Sequence, residues 1–143
     1  MRLNLKQREE KSNMGAQRPY LLLALFVFVA TALFPFGWLA TVWPGFSDVA
    51  NFIFGTQLAH IIGHFAVFAL MGGGVLLLFP SLRQRFWLYF GLMFLLGLVQ
   101  EFLQIASFKH IIPALDELLD LTMDMLGAAM AFYVWNKRTE TGD

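Results

Sequence analysis

Residues 57–79, QLAHIIGHFAVFALMGGGVLLLF, hold no Asp, Glu, Lys or Arg over 23 positions and stop at Pro80. A helix that crosses a bilayer needs about 20 mostly apolar residues. In lipid every backbone N–H and C=O must be paired within the segment, which leaves the helix as the open-ended solution. The stretch therefore reads as a transmembrane helix. Three further segments join it: Tyr20–Val42, Phe86–Ile105 and Leu118–Trp135. The last is short and carries Asp120 and Asp124.

Composition agrees. Of the 143 residues, 58% are hydrophobic and 14% charged, with a mean hydropathy of +0.62. A water-soluble domain carries about 25% charged residues. This chain lacks the charge to coat a water-facing surface, and lipid is the expected solvent. The formal net charge is zero, so no global field favours nucleic acid as a partner. The absence of cysteine excludes disulfides and thiolate metal ligands.

The fold class expected is all-α: a polytopic bundle of four transmembrane helices, spanning about 20–42, 57–79, 86–105 and 118–135. Residues 1–19 form a polar cytoplasmic tail read as a disordered topology signal. Residues 136–143 form a second cytoplasmic tail. The run from Tyr20 to Val42 is longer than the apolar core of a signal peptide, about 7–15 residues, and reads as an uncleaved first span. Pro35 and Gly37 predict a kink in it. Trp43-Pro44-Gly45 ends it, and Pro113 falls in the loop before the fourth span.

Lys and Arg set the orientation. Arg2, Lys6, Arg8, Lys11 and Arg18 precede the first span, Arg83 and Arg85 sit between the second and third, and Lys137 and Arg138 follow the fourth. Lys109 alone falls in an outer loop. An N-in, C-in arrangement thus puts nine of the ten basic residues in the cytoplasm, as the positive-inside rule asks.

The remaining polar residues converge. His60 and His64 lie in the outer half of the second span. Gln100, Glu101 and Gln104 lie near the outer end of the third. Asp120 and Asp124 lie in the outer half of the fourth. At a rise of about 1.5 Å per residue all fall within about 10 Å of the outer boundary. His60/His64 and Asp120/Asp124 are i,i+4 pairs and Glu101/Gln104 is i,i+3, so each helix presents a polar stripe. Ionisable groups within spans face the bundle interior or a water-filled cavity. The stripes are expected to face one another. Gln57 and Gln100 read as interfacial or structural, and Asp116, Glu117 and His110 as solvated loop groups.

Three readings follow. The polar groups can hydrogen-bond across helices and merely hold the bundle. They can line a pocket for a polar ligand, formed by His60, His64, Glu101, Gln104, Asp120 and Asp124. Or they can do chemistry, with Glu101 or Asp120 as general base beside His64, or His60, His64, Glu101 and Asp124 as ligands of a divalent metal. Two imidazoles one turn apart, completed by carboxylate, suit zinc. The helix lacks the Glu beside the first His that metalloprotease helices carry. Gly63, Gly72–Gly74, Gly91, Gly97 and Gly127 to Ala129 predict close helix packing. They are compatible with a homo-oligomer, and Gly72–Gly74 is a candidate hinge.

The motifs Gly63-His64-Phe65-x-x-Phe68, Glu101-x-x-Gln104 and Asp120-x-x-x-Asp124-x-x-Gly127 resemble the VanZ-like family, named for a teicoplanin-resistance membrane protein. The resemblance covers about Gln57 to Val134. His60 and Ile61 stand where the family has Asp-Lys, and Asp124 stands where Asn is usual. The resemblance implies a protein at the outer face of a bacterial cytoplasmic membrane. The expected function is binding of a cell-envelope component, lipid-linked or glycopeptide, in the outer pocket. The alternatives are a small membrane-embedded enzyme acting on a lipid-linked substrate through Glu101, Asp120 and His64, and a structural or assembly subunit.

Overall fold

The computed structural model describes residues 2–34, 36–107 and 114–141, and every described element is helical. In chain order these are α1 (Arg2–Ala32), α2 (Phe36–Val42), α3 (Pro44–Phe54), α4 (Gln57–Leu78), a short 3-10 helix (Pro80–Gln84), α5 (Phe86–Ser107) and α6 (Ala114–Thr141). Among the described residues, three stretches are long and apolar enough to cross a membrane: Gln57–Leu78, Phe86–Ala106 and Glu117–Arg138. Gln17–Ala32 is a shorter apolar helix.

Local chemistry sets the boundaries. Thr56 caps α4 by accepting the Ala59 amide at 3.2 Å. Pro80 bars its continuation past Phe79. Arg83 then folds back, donating from Nε to the Leu76 carbonyl at 2.8 Å, which supplies one of the carbonyl partners a helix end lacks. Its guanidinium also lies 4.1 Å from the ring centre of Trp135, tying this end of α4 to α6.

The first segment differs from the single kinked span expected over 20–42. α1 ends at Ala32, the chain turns at Leu33 and Phe34, and the helix restarts as the seven-residue α2. A proline at position 35 excludes its predecessor from the α region, so the effect is a break rather than a kink. Trp43 is extended, and Pro44 opens α3 where a loop was expected. The tail read as disordered is helical from Arg2 onward. Its Lys, Gln, Glu and Arg residues are strong helix formers. Lys109, His110 and Pro113 lie outside the described residues.

α4 and α6 form the closest helix pair. His60 meets Asp120 and His64 meets Asp124, both at a sequence offset of 60, so the two helices run parallel. The next rung down is apolar, with Phe68 and Ala128 fully buried. Gly127 allows the approach, because a Cβ there would collide with the Phe65 carbonyl oxygen. α5, as long as α4, returns the chain between them. α1 runs antiparallel to α4: Leu25 packs at Gly74, while Ala32 and His64 line the same cavity.

The core below the rungs is built from Phe68, Met71, Val75, Leu76, Tyr89, Met93 and Ala128. Tyr89 donates its hydroxyl to the Ala128 carbonyl at 3.0 Å and fills the space left by Gly72. The Gly72–Gly74 run lies within the continuous helix α4. The outside is apolar as well. Leu58, Leu70, Trp87 and Phe102 are 66, 67, 84 and 67% exposed. Water-facing surfaces keep contiguous apolar patches small, so this exterior fits lipid.

Candidate functional site

The buried polar residues of the described chain gather at one place: His64, Gln100, Glu101, Asp120 and Asp124. Three helices supply them. α4 gives the two histidines, α5 gives Gln100 and Glu101, and α6 gives the two aspartates. The i,i+4 spacing on α4 and α6 stacks them as two rungs, about 6 Å apart along the helix axis.

In the outer rung, His60 Nε2 donates to Asp120 Oδ2 at 3.1 Å, and the His60 side chain is 41% exposed. In the inner rung, His64 Nδ1 donates to Asp124 Oδ1 at 2.9 Å, with both residues buried. The two imidazoles lie 4.7 Å apart, ring centre to ring centre. His64 Nε2 points back toward the outer rung, 3.8 Å from Asp120 Oδ2. That distance is too long for a hydrogen bond and short enough for strong electrostatic contact.

Glu101 approaches the inner rung from α5. One carboxylate oxygen of Glu101, one of Asp124 and one nitrogen of His64 lie within 4.8 Å of one another. His60, His64 and Asp120 form a second such group. Asp124 Oδ2 is buried without a hydrogen-bond partner among the described residues, as is Gln100 Oε1. Room for Asp124 Oδ2 exists because residue 97 is glycine, whose Cβ would come within 3.2 Å of it.

A cavity of about 590 Å³ opens beside the rungs. One wall carries His60, His64, Gln100 and Gln104 from α4 and α5. The facing wall is apolar and comes from the α1 end, α2 and α3, including Phe34, Phe36, Phe46, Val49, Ala50 and Ile53. The space is large enough for a drug-sized ligand or a lipid head with part of its tail.

Of the six residues expected to line a pocket, His60, His64 and Gln104 line this cavity, whereas Glu101, Asp120 and Asp124 are not among its lining residues. His60, His64, Asp120, Asp124 and Glu101 form the charged cluster, and half-buried Gln104 faces the cavity. Gln100, read as interfacial or structural, is buried and lines the cavity too. Glu117, read as a loop group, stands within α6 and is half-buried. The apolar wall went unforeseen, although Phe46, Val49, Ala50 and Ile53 recur at the i, i+3, i+4, i+7 spacing of one helix face. Chemically, the cluster can hold a cation between carboxylates and imidazoles, accept a proton, or bind an anion through protonated histidine. Comparison with family models, with curated proteins and with solved structures gives no match to this chain.

Proposed function

We propose that the chain is a VanZ-like protein of a bacterial cytoplasmic membrane that binds an amphiphilic cell-envelope component from the outer side. A lipid-linked precursor and a lipid-tailed glycopeptide are the two chemistries that fit. The observation that carries this reading is the two-faced cavity. Its polar wall meets a head group, while its phenylalanine-rich wall meets hydrocarbon. A site meant only to hold helices together has no need of a cavity this size. The order of the His64, Glu101/Gln104 and Asp120/Asp124 motifs on successive helices supports the family reading.

In this reading α1 is the first of four spans, with both chain ends inside. Its antiparallel packing on α4 supports the count. It brings the basic N-terminal residues to the same end of the bundle as Arg83, Arg85, Lys137 and Arg138. The polar cluster then lies toward the opposite, outer end. Because the chain lacks cysteine, single cysteines report sidedness directly. In intact cells Asp48→Cys is expected to react with a membrane-impermeant maleimide, and Ser81→Cys only after permeabilisation. The reverse pattern would turn the protein over and discard an outer pocket.

Binding is tested by native mass spectrometry of protein purified in mild detergent. Wild type is expected to carry a bound amphiphile. Ala50→Trp fills the apolar wall without touching the charged cluster, and is expected to lose that species while keeping its helical content. Equal loading of the two proteins removes the cavity from the account.

A further inference from the structure

We infer that His60, His64 and Asp120 form a binding site for one divalent transition metal of the zinc type, with Asp124 orienting His64 from behind. The inference rests on the proposed function only for what completes the coordination; the metal site itself stands on the geometry of the rungs.

The donor atoms are already near their bound positions. Zinc holds imidazole nitrogen and carboxylate oxygen at about 2.0–2.2 Å, which places neighbouring donors of a tetrahedron about 3.3–3.5 Å apart. Asp120 Oδ2 is 3.1 Å from His60 Nε2 and 3.8 Å from His64 Nε2, so the two distances bracket that edge. The three donor atoms all lie within 4.8 Å of one another. Small movements of side chains suffice to accommodate an ion.

The second observation is independent of these distances. A metal-bound histidine almost always donates its other ring N–H to a carboxylate or carbonyl, which fixes the tautomer. His64 does so here. Its Nδ1 donates to the fully buried Asp124 at 2.9 Å, and that leaves Nε2 as the bare donor, directed at Asp120 and the cavity. A pair kept only for helix packing gains nothing from a second histidine one turn above, facing the same carboxylate.

Binding needs His60 to carry its proton on Nδ1, which frees Nε2 from its present bond to Asp120. Two nitrogens and one oxygen then leave a fourth position open, as catalytic and ligand-binding zinc sites do. His60 and His64 both line the cavity, so that position faces it. An anionic oxygen of a phosphate or carboxylate head group would complete the tetrahedron. Glu101 groups with His64 and Asp124 rather than with His60 and Asp120, and is not one of the three ligands.

Cobalt(II) alone is the probe. It is titrated into chelator-stripped, detergent-purified protein and followed by its visible absorption, which is intense only in tetrahedral sites. Wild type is expected to saturate at one equivalent and to lose the band when zinc is added. His60→Gln leaves the buried His64–Asp124 pair in place and is expected to abolish the band while circular dichroism stays unchanged. Asp124→Asn is expected to keep the stoichiometry and to weaken binding about 10- to 100-fold. No tetrahedral band in wild type, or an unchanged titration for His60→Gln, overturns the inference. Protein that carries an amphiphile yet shows no band overturns the metal alone. Protein that binds cobalt but carries no amphiphile supports the metal and removes the amphiphile.

Discussion

Gly127→Val is expected to leave almost no folded protein in detergent extracts, as read by size-exclusion chromatography and thermal unfolding. A Cβ at this position would overlap the Phe65 carbonyl oxygen and lie 2.9 Å from the Ala69 nitrogen and 3.1 Å from the Phe65 carbonyl carbon. These are backbone atoms of α4, so no rotamer change relieves them. The helices must separate, and separation stretches both His–Asp rungs. Overpacking a well-packed core costs about 1–3 kcal/mol, occasionally more, and a backbone clash belongs at the upper end. Gly91 is the control. A Cβ there meets nothing within 4 Å. Gly91→Ala should be neutral or slightly stabilising, since glycine inside a helix costs roughly 0.5–1 kcal/mol relative to alanine. Similar behaviour of the two variants would mean that α4 and α6 are not in backbone contact.

The second large effect separates holding the bundle from serving a ligand. Asp124→Leu keeps the branched shape but strands His64 in the core. Leaving a buried hydrogen-bonding group without its partner costs about 1–3 kcal/mol, whereas replacing both partners by apolar groups of similar shape can be nearly neutral. Ordinary interhelical hydrogen bonds in membranes average about 0.6 kcal/mol. The single variant is therefore expected to lose about 1–3 kcal/mol in denaturant unfolding from micelles. The double variant His64→Leu/Asp124→Leu is expected to regain most of that and still to lose the bound amphiphile. Recovery of stability without ligand marks the pair as functional. A double variant as unstable as the single one would make the rung a structural fastener and favour the assembly-subunit reading.

The bundle and its polar slab were largely legible in the sequence, and for a physical reason. Hydropathy gives the depth of each residue, and i,i+4 spacing gives its face, so His60, His64, Asp120 and Asp124 could be placed at one level by counting. The rotation of one helix against another was not legible. That α4 and α6 pair at an offset of 60 depends on Gly127 finding the Phe65 carbonyl, and a glycine announces only that something comes close. Gly97, which makes room for Asp124, was hidden for the same reason. The first segment misled because its apolar run continues across Pro35, where hydropathy registers nothing and backbone sterics decide. α3 was masked by its position between two spans, although its apolar face was written in the spacing of Phe46, Val49, Ala50 and Ile53.

The rung beneath His64–Asp124 bears on permeation. There Phe68 and Ala128 are fully buried, and Met71, Val75, Leu76 and Met93 continue the column downward. The next polar side chain in that column, Tyr89, has its hydroxyl engaged with the Ala128 carbonyl. A proton or cation that reaches His64 from the cavity thus meets hydrocarbon rather than another carrier. Conduction through a bundle needs a continuous file of water or ionisable groups. In electrical terms the described core is an insulator with a polar terminal at one end, so a membrane filled with this protein should hold its potential.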